Sequence, residues 1–116
     1  DIRDAIGEIE DFIAGKAFDE FLATPLLRRA VERDIEVISE ASRHITAGLM
    51  SRHPTVPWQK VMAIGNVLRH EYEKIQAPVL WGVVTAELPV LRRAIHAMIA
   101  EIEGEAGPPG TLGGTS

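Results

Sequence analysis

Apolar residues return every three or four positions along nearly the whole chain, and prolines stand where new runs begin, at Pro25, Pro57 and Pro78. That spacing is the period of an α-helix with one buried face. Proline suits the first helical position, where its missing N–H has no intrahelical partner. A first helix is predicted over residues 1–14, with Ile2, Ile6, Ile9 and Ile13 on one stripe and Arg3, Asp4, Glu8 and Asp11 on the other side. Asp1 and Asp4 suit the positive end of its dipole, and Gly15 is a stop signal. Phe18, Phe21 and Leu22 follow in a short segment expected to plug the bundle end. Thr24 as N-cap and Pro25 then open a second long helix, predicted to reach Ile45 along Leu27, Val31, Ile35 and Ile38. Glu32, Glu36 and Glu40 form an acidic stripe on another of its faces, with Arg29, Arg33 and Arg43 spaced to pair with them. Such a stripe reads as a solvated face.

Residues 46–55 read as a linker with one helical turn around Leu49 and Met50. A third long helix is predicted from Pro57 to Ile75. Its apolar set is Trp58, Val61, Met62, Gly65, Leu68, Tyr72 and Ile75, widened by Ile64 and Val67, so it is expected to be the most buried. A fourth helix is predicted from Pro78 to Gly104, kinked or split at Pro89, which lacks a backbone donor. No alternation of period two and no fixed repeat is present. Four amphipathic helices with short connections imply an all-α, antiparallel bundle of four to five helices. Residues 1–104 form the domain. Residues 105–116, mostly glycine, proline and threonine, are expected to be a disordered tail.

Charge is unevenly placed. The net charge is −5, which taken whole argues against a non-specific nucleic-acid binder. Residues 1–24 carry seven acids against two bases, yet no acid lies between Glu40 and Glu71. That interval holds Arg43, Arg52, Lys60 and Arg69, with His44, His53 and His70. Two readings stay open: a chance run, or a positive surface for phosphates or an acidic partner. With no cysteine, disulfides and thiolate metal sites are excluded and a cytoplasmic location is expected. No apolar run approaches the roughly 20 residues of a membrane span, and no signal-peptide pattern is visible. No phosphate-cradling glycine loop, metal-spaced His/Asp/Glu set or serine nucleophile turn occurs, so neither metal nor cofactor is expected.

The residues with chemistry to offer lie in Gly65-Asn66-Val67-Leu68-Arg69-His70-Glu71-Tyr72. Asn66 and His70 are one helical turn apart on one face, and Arg69 and Tyr72 share the neighbouring face. Helical side chains lean towards the N-terminus, so Arg69 would cover the space that Gly65 leaves. An imidazole moves protons near neutrality, and a guanidinium holds phosphate in a fork of donors. His70, Arg69 and Asn66 are therefore candidate catalytic residues for cleaving a phosphodiester without metal. Blander roles stand beside this one. His70 could be a structural histidine, Tyr72 a core residue with its hydroxyl at the rim, and Asn66 a hydrogen-bond partner for a neighbouring helix. Gly65 costs about 1 kcal/mol relative to alanine and could admit a close helix from this or a second subunit. His44, His53 and His96 read as structural or exposed.

Several ordered motifs resemble one family. Arg33-Asp34-Ile35-Glu36-Val37-Ile38-Ser39-Glu40-Ala41 is similar to a helix pattern ending in Gly-Glu-Ala. His53-Pro54-Thr55-Val56-Pro57-Trp58 is similar to an HPxxPW entry, and Asn66 to Tyr72 to an RNxxxHxY core. Leu80-Trp81 with Leu88-Pro89 is similar to a W…LP segment. From about Asp1 to Ile102 the chain resembles the HepT-like branch of the HEPN domains, ribonuclease toxins encoded beside a small nucleotidyltransferase antitoxin. The resemblance implies a helical homodimer with the two histidine motifs meeting across the two-fold axis, an RNA substrate and metal-independent cleavage. It implies His70 as the catalytic histidine, and Tyr72 as the target of AMP addition by the nucleotidyltransferase partner. Gly65 departs from the pattern, which places an arginine there. The departure leaves two alternatives: Arg69 replaces that guanidinium from one turn away, or the chain is a catalytically weak or inactive partner-binding module.

Overall fold

The computed structural model describes residues 1–71 and 77–106, with side chains described for 1–68 and 77–104. The described elements are helical throughout: α1 (Ile2–Ile13), α2 (Phe18–Ala23), α3 (Pro25–Ser42), α4 (Ala47–Ser51), α5 (Trp58–Glu71), α6 (Ala77–Gly82), a π-helical turn (Val83–Glu87) and α7 (Leu88–Ala106). Four long rods, α1, α3, α5 and α6–α7, form the bundle. Their directions alternate. Ser39 of α3 and Arg43 just past its end meet Gly65 and Met62 of α5, so one helix climbs as the other descends. Glu10 of α1 meets Arg92 of α7, while Ile2 shares a recess with Met98 and Ile99. The antiparallel, all-α arrangement is the one the periodicity implies.

The core joins Ile6 and Ile9 of α1, Val31, Ile35 and Ile38 of α3, Leu68 of α5, and Leu91, Ile95 and Met98 of α7. Each such side chain contributes about 1.5–3 kcal/mol on burial. Phe21 is fully buried and tilts against Trp81 with ring centroids 5.1 Å apart. Phe18 lies 6.2 Å from the same ring. Leu22, expected to join that plug, is exposed instead. One turn of helix can turn only one face inward, and α2 presents Phe18 and Phe21.

Local chemistry sets the ends. Asp1 caps α1 by accepting the Arg3 N–H at 2.8 Å. Gly15 takes φ +70° just past the helix, where a residue without Cβ is favoured. Pro25 opens α3, but the Thr24 hydroxyl does not cap it. It donates back to the Glu20 carbonyl at 2.7 Å. α3 stops at Ser42, three residues short of the predicted Ile45. The N–H groups of Arg43, His44 and Ile45 reach back only three residues, to Glu40, Ala41 and Ser42. That tightening satisfies the last carbonyls of a helix as it ends.

The last rod starts at Ala77, breaks its α pattern before Pro89 and runs to Ala106, two residues past the expected end. Proline cannot donate, and its ring crowds the carbonyl four residues back, here Thr85. In the π turn before it the Leu88 N–H reaches the Val83 carbonyl, and the Thr85 hydroxyl donates to the Trp81 carbonyl at 2.7 Å. The expected disruption at Pro89 is thus a widened turn. Residues 107–116 lie outside the described residues.

Candidate active site

α5 is held at its start by the loop before it. The Trp58 indole N–H is shared between the Met50 and His53 carbonyls, both at 3.1 Å. The His53 ring lies 3.1 Å from Glu101 Oε1, and Arg52 Nη1 lies 3.2 Å from Glu101 Oε2. Arg52 and His53 of the acid-free stretch are therefore both met by one carboxylate of α7. Sequence reading missed this because the partner lies 48 residues away. His53, read as structural or exposed, is structural: its half-buried ring ties the loop to α7.

The middle of α5 is set by α3. Ser39 is 1% exposed. Its hydroxyl donates to the Met62 carbonyl at 2.8 Å and accepts the Gly65 N–H at 3.1 Å. A serine hydroxyl reaches another helix's backbone only where the axes run close, and Gly65, which is buried, leaves room for that. The close helix that Gly65 admits is α3 of the same chain. Ser39 meets Gly65 at its backbone N–H; the side chain of Arg69, expected to cover the space beside Gly65, lies outside the described residues. Arg43 reinforces the seam: Nη2 donates to the Met62 carbonyl at 3.1 Å and Nη1 to Glu40 Oε2 at 3.1 Å. Small residues at 39 and 65 were the available signal for this crossing.

With Gly65 turned to α3, Asn66 is exposed. Met62, Asn66 and His70 follow one another at intervals of four and so climb one ridge of α5. The backbone of Arg69 and His70 lies in the described part of α5; their side chains lie outside the described residues, and so does Tyr72. α5 is not the most buried helix among the described residues. Among residues 58–68, whose side chains are described, Trp58, Gly65 and Leu68 are the buried positions, and Val67 is 37% exposed. Val61 and Ile64 are half-buried and line an apolar groove of about 270 Å³ with Ile35, Ile38, Leu88 and Leu91. At ~100° per residue, Ile64 and Asn66 point to nearly opposite sides of α5, so this groove is separate from the Asn66 ridge.

Two carboxyls on α3 are perturbed. Burial, opposed by Arg28 and Arg29 and reinforced by Glu36, raises Glu32 above the ordinary carboxylate range. Burial, then a hydrogen bond and charge from Glu8, push Asp34 up to about 6. Asp34 Oδ2 has no partner among the described residues. Of the expected pairing along the stripe, Arg43–Glu40 forms, and His44 lies 4.0 Å from the same carboxylate. Among the described residues, no three His, Cys, Asp or Glu side chains are arranged to hold a metal, and no helix is long and apolar enough to cross a membrane.

Residues 2–98 match the family model described as ribonuclease HepT-like. The chain belongs to the HepT-like family. A Methanocaldococcus jannaschii protein named, provisionally, as an RNase is 33% identical over 90% of this chain and 87% of its own length. A Thermococcus cleftensis protein named, provisionally, as ribonuclease HepT is 35% identical over 79% of this chain and 84% of its own. A third relative, from Caldanaerobacter subterraneus and also provisionally an RNase by name, is 28% identical over 75% and 78%. No solved structure matches the chain. In this HepT-like chain Gly65 is committed to the α3 seam, so no guanidinium projects from that position.

Proposed function

We propose that this HepT-like chain is an endoribonuclease of the HEPN type, with His70, Arg69 and Asn66 as its catalytic residues. Family membership supports the activity class. The observation that supports the choice of residues is the Ser39–Gly65 seam, beside which Asn66 is exposed, with His70 one helical turn further along α5. In the proposed reaction the His70 imidazole takes the proton of a ribose 2′-hydroxyl. The 2′-oxygen attacks the adjacent phosphorus, and the P–O5′ bond breaks. A 2′,3′-cyclic phosphate and a 5′-hydroxyl result, the latter taking a proton. Arg69 stabilises the negative charge that builds on phosphorus oxygens. No metal enters this scheme. The exposed ridge of one chain gains walls if two copies pair, so the working form is a homodimer. The chain acts beside a nucleotidyltransferase antitoxin that restrains it by adding AMP to Tyr72.

The test is cleavage of a labelled RNA by purified protein in excess chelator, alongside His70→Ala and sedimentation of both proteins. Metal-free cleavage by the wild type that is lost in the variant supports the reading; cleavage equal in both sinks it. Incubation with the nucleotidyltransferase and ATP should add the mass of one adenylyl group at Tyr72.

A second reading is favoured by the burial of Gly65. Without a guanidinium from that position, the chain would be a partner-binding module with little turnover. Tight complex formation with the nucleotidyltransferase and no RNA cleavage at any enzyme concentration would select it.

A further inference from the structure

We propose that Arg43, the residue that closes α3, is an RNA-phosphate-binding residue, seating the strand that runs along α5 towards His70. The inference rests on the ribonuclease reading above. Arg43 lies outside the motif on α5, yet its guanidinium is fixed to that helix at the Met62 carbonyl (3.1 Å) and braced by Glu40 (3.1 Å). These contacts use two of its five N–H donors. The side chain keeps 40% of its surface exposed, so a phosphate can reach the donors that remain.

Position argues for this ligand. Met62 is the foot of the ridge that continues through Asn66 to His70. At 1.5 Å rise per residue the eight residues from Met62 to His70 span about 12 Å of axis. That is too far for Arg43 to act on the bond broken at His70, and suits a phosphate further along the same strand. α5 carries no carboxylate before Glu71, so the ridge itself offers no repelling charge up to His70. A guanidinium already held by a carboxylate and a carbonyl loses little rotamer freedom on binding, and its planar fork matches phosphate oxygens. Arg43 is thus a positioning residue that binds backbone phosphate without reading sequence.

The test is fluorescence anisotropy of a labelled single-stranded oligoribonucleotide on a His70→Ala background, with Arg43→Gln and Arg43→Lys added, over a salt series. One lost phosphate contact should lower the salt slope by about 0.7 and weaken binding about five- to tenfold for every sequence tried. Lysine should restore the slope but only part of the affinity, because it keeps the charge and lacks the fork. In the His70-intact enzyme the loss should fall mainly on KM. Glu40→Gln should bind RNA as tightly as its parent or more tightly, since it removes a competing anion. A purely structural Arg43 would instead lower thermal stability in Arg43→Gln and Glu40→Gln alike while leaving the salt slope unchanged, and that result overturns the proposal. If the wild type cleaves RNA and Arg43→Gln is indistinguishable from it, only the role of Arg43 falls. If the wild type neither cleaves nor binds RNA, both readings fall. Arg43-dependent binding without cleavage supports this site and removes the catalytic one.

Discussion

Ser39 and Gly65 are joined side chain to backbone, with the Gly65 N–H donating to the Ser39 hydroxyl at 3.1 Å. The same hydroxyl donates to the Met62 carbonyl, so one buried serine links two points on α5. This contact, together with the buried Trp58 and Leu68, fixes the side of α5 that faces α3 and the core. Replacing Ser39 with alanine should leave buried backbone groups with one partner fewer and cost about 1–2 kcal/mol. Urea unfolding of Ser39→Ala with an unchanged midpoint would show that the seam carries no stability.

Gly65→Arg tests the departure from the family pattern from the other side. Position 65 is buried against α3, so an arginine there must push the seam apart or bend away. Overpacking of this kind costs roughly 1–3 kcal/mol. We expect Gly65→Arg to melt below the wild type and to gain no RNA cleavage. Increased cleavage at wild-type stability would mean that the seam adapts and that Gly65 is the reason for any weak activity.

The bundle was legible because its information is local. Ile2, Ile6 and Ile9 repeat at helical spacing, Pro25 marks a helix start, and Gly15 supplies the positive φ at a helix end. The misreadings arise where a distant residue decides. Thr24 bonds Glu20 instead of capping α3, and Leu22 faces solvent because one turn of helix has a single inward face. Over its described side chains, residues 58–68, α5 is less buried than expected, where Val61 and Ile64 border an open groove. At the site, the helical backbone that carries Asn66 and His70 was legible from the spacing of α5, while the side chains of Arg69 and His70 lie outside the described residues. Arg43 was legible as a cation of the acid-free stretch, but its contact with the Met62 carbonyl was not, because that partner lies 19 residues away. Nor was the use of Glu101 to hold Arg52 and His53.

That use of Glu101 gives a further test. Glu101→Gln keeps the shape of the side chain but removes the charge facing Arg52 and His53. The pairs are partly exposed, so the cost should be modest, about 0.5–1 kcal/mol. Because the loop also anchors Trp58, amide exchange of residues 52–58 should speed up more than that of α1. Uniform exchange across the two regions would mean that the loop is held by Trp58 alone.

Asp34 makes stability depend on pH. Its carboxyl is raised to about 6 in the fold from an ordinary value of 3.8. The folded chain therefore holds a proton that the unfolded chain has released between these values. By linkage, stability falls as pH rises from about 4 to about 6 and stays at the lower level above that. Asparagine at 34 cannot ionise, and its amide can donate to Glu8. Asp34→Asn should flatten the slope and gain about 1 kcal/mol at pH 8, a value reduced by solvent screening around the exposed Glu8. Urea midpoints for both proteins from pH 4 to pH 8 measure this, and parallel curves would rule Asp34 out as the source.

Asn66 separates a catalytic ridge from a packing one. Its side chain is exposed, so Asn66→Ala should change stability by no more than about 0.5 kcal/mol in either direction. If Asn66 orients substrate beside His70, the same substitution should lower kcat/KM for RNA at least tenfold, since misplacement of about 1 Å near a reacting group can cost a hundredfold. His70→Ala should cost about 10²–10⁴-fold if the imidazole moves the proton. The pair should also be non-additive, because once His70 is gone there is no imidazole for Asn66 to serve. Rates for the two single variants and the double variant, with melting curves for each, decide the matter. Losses in melting temperature with cleavage intact would return both residues to the scaffold.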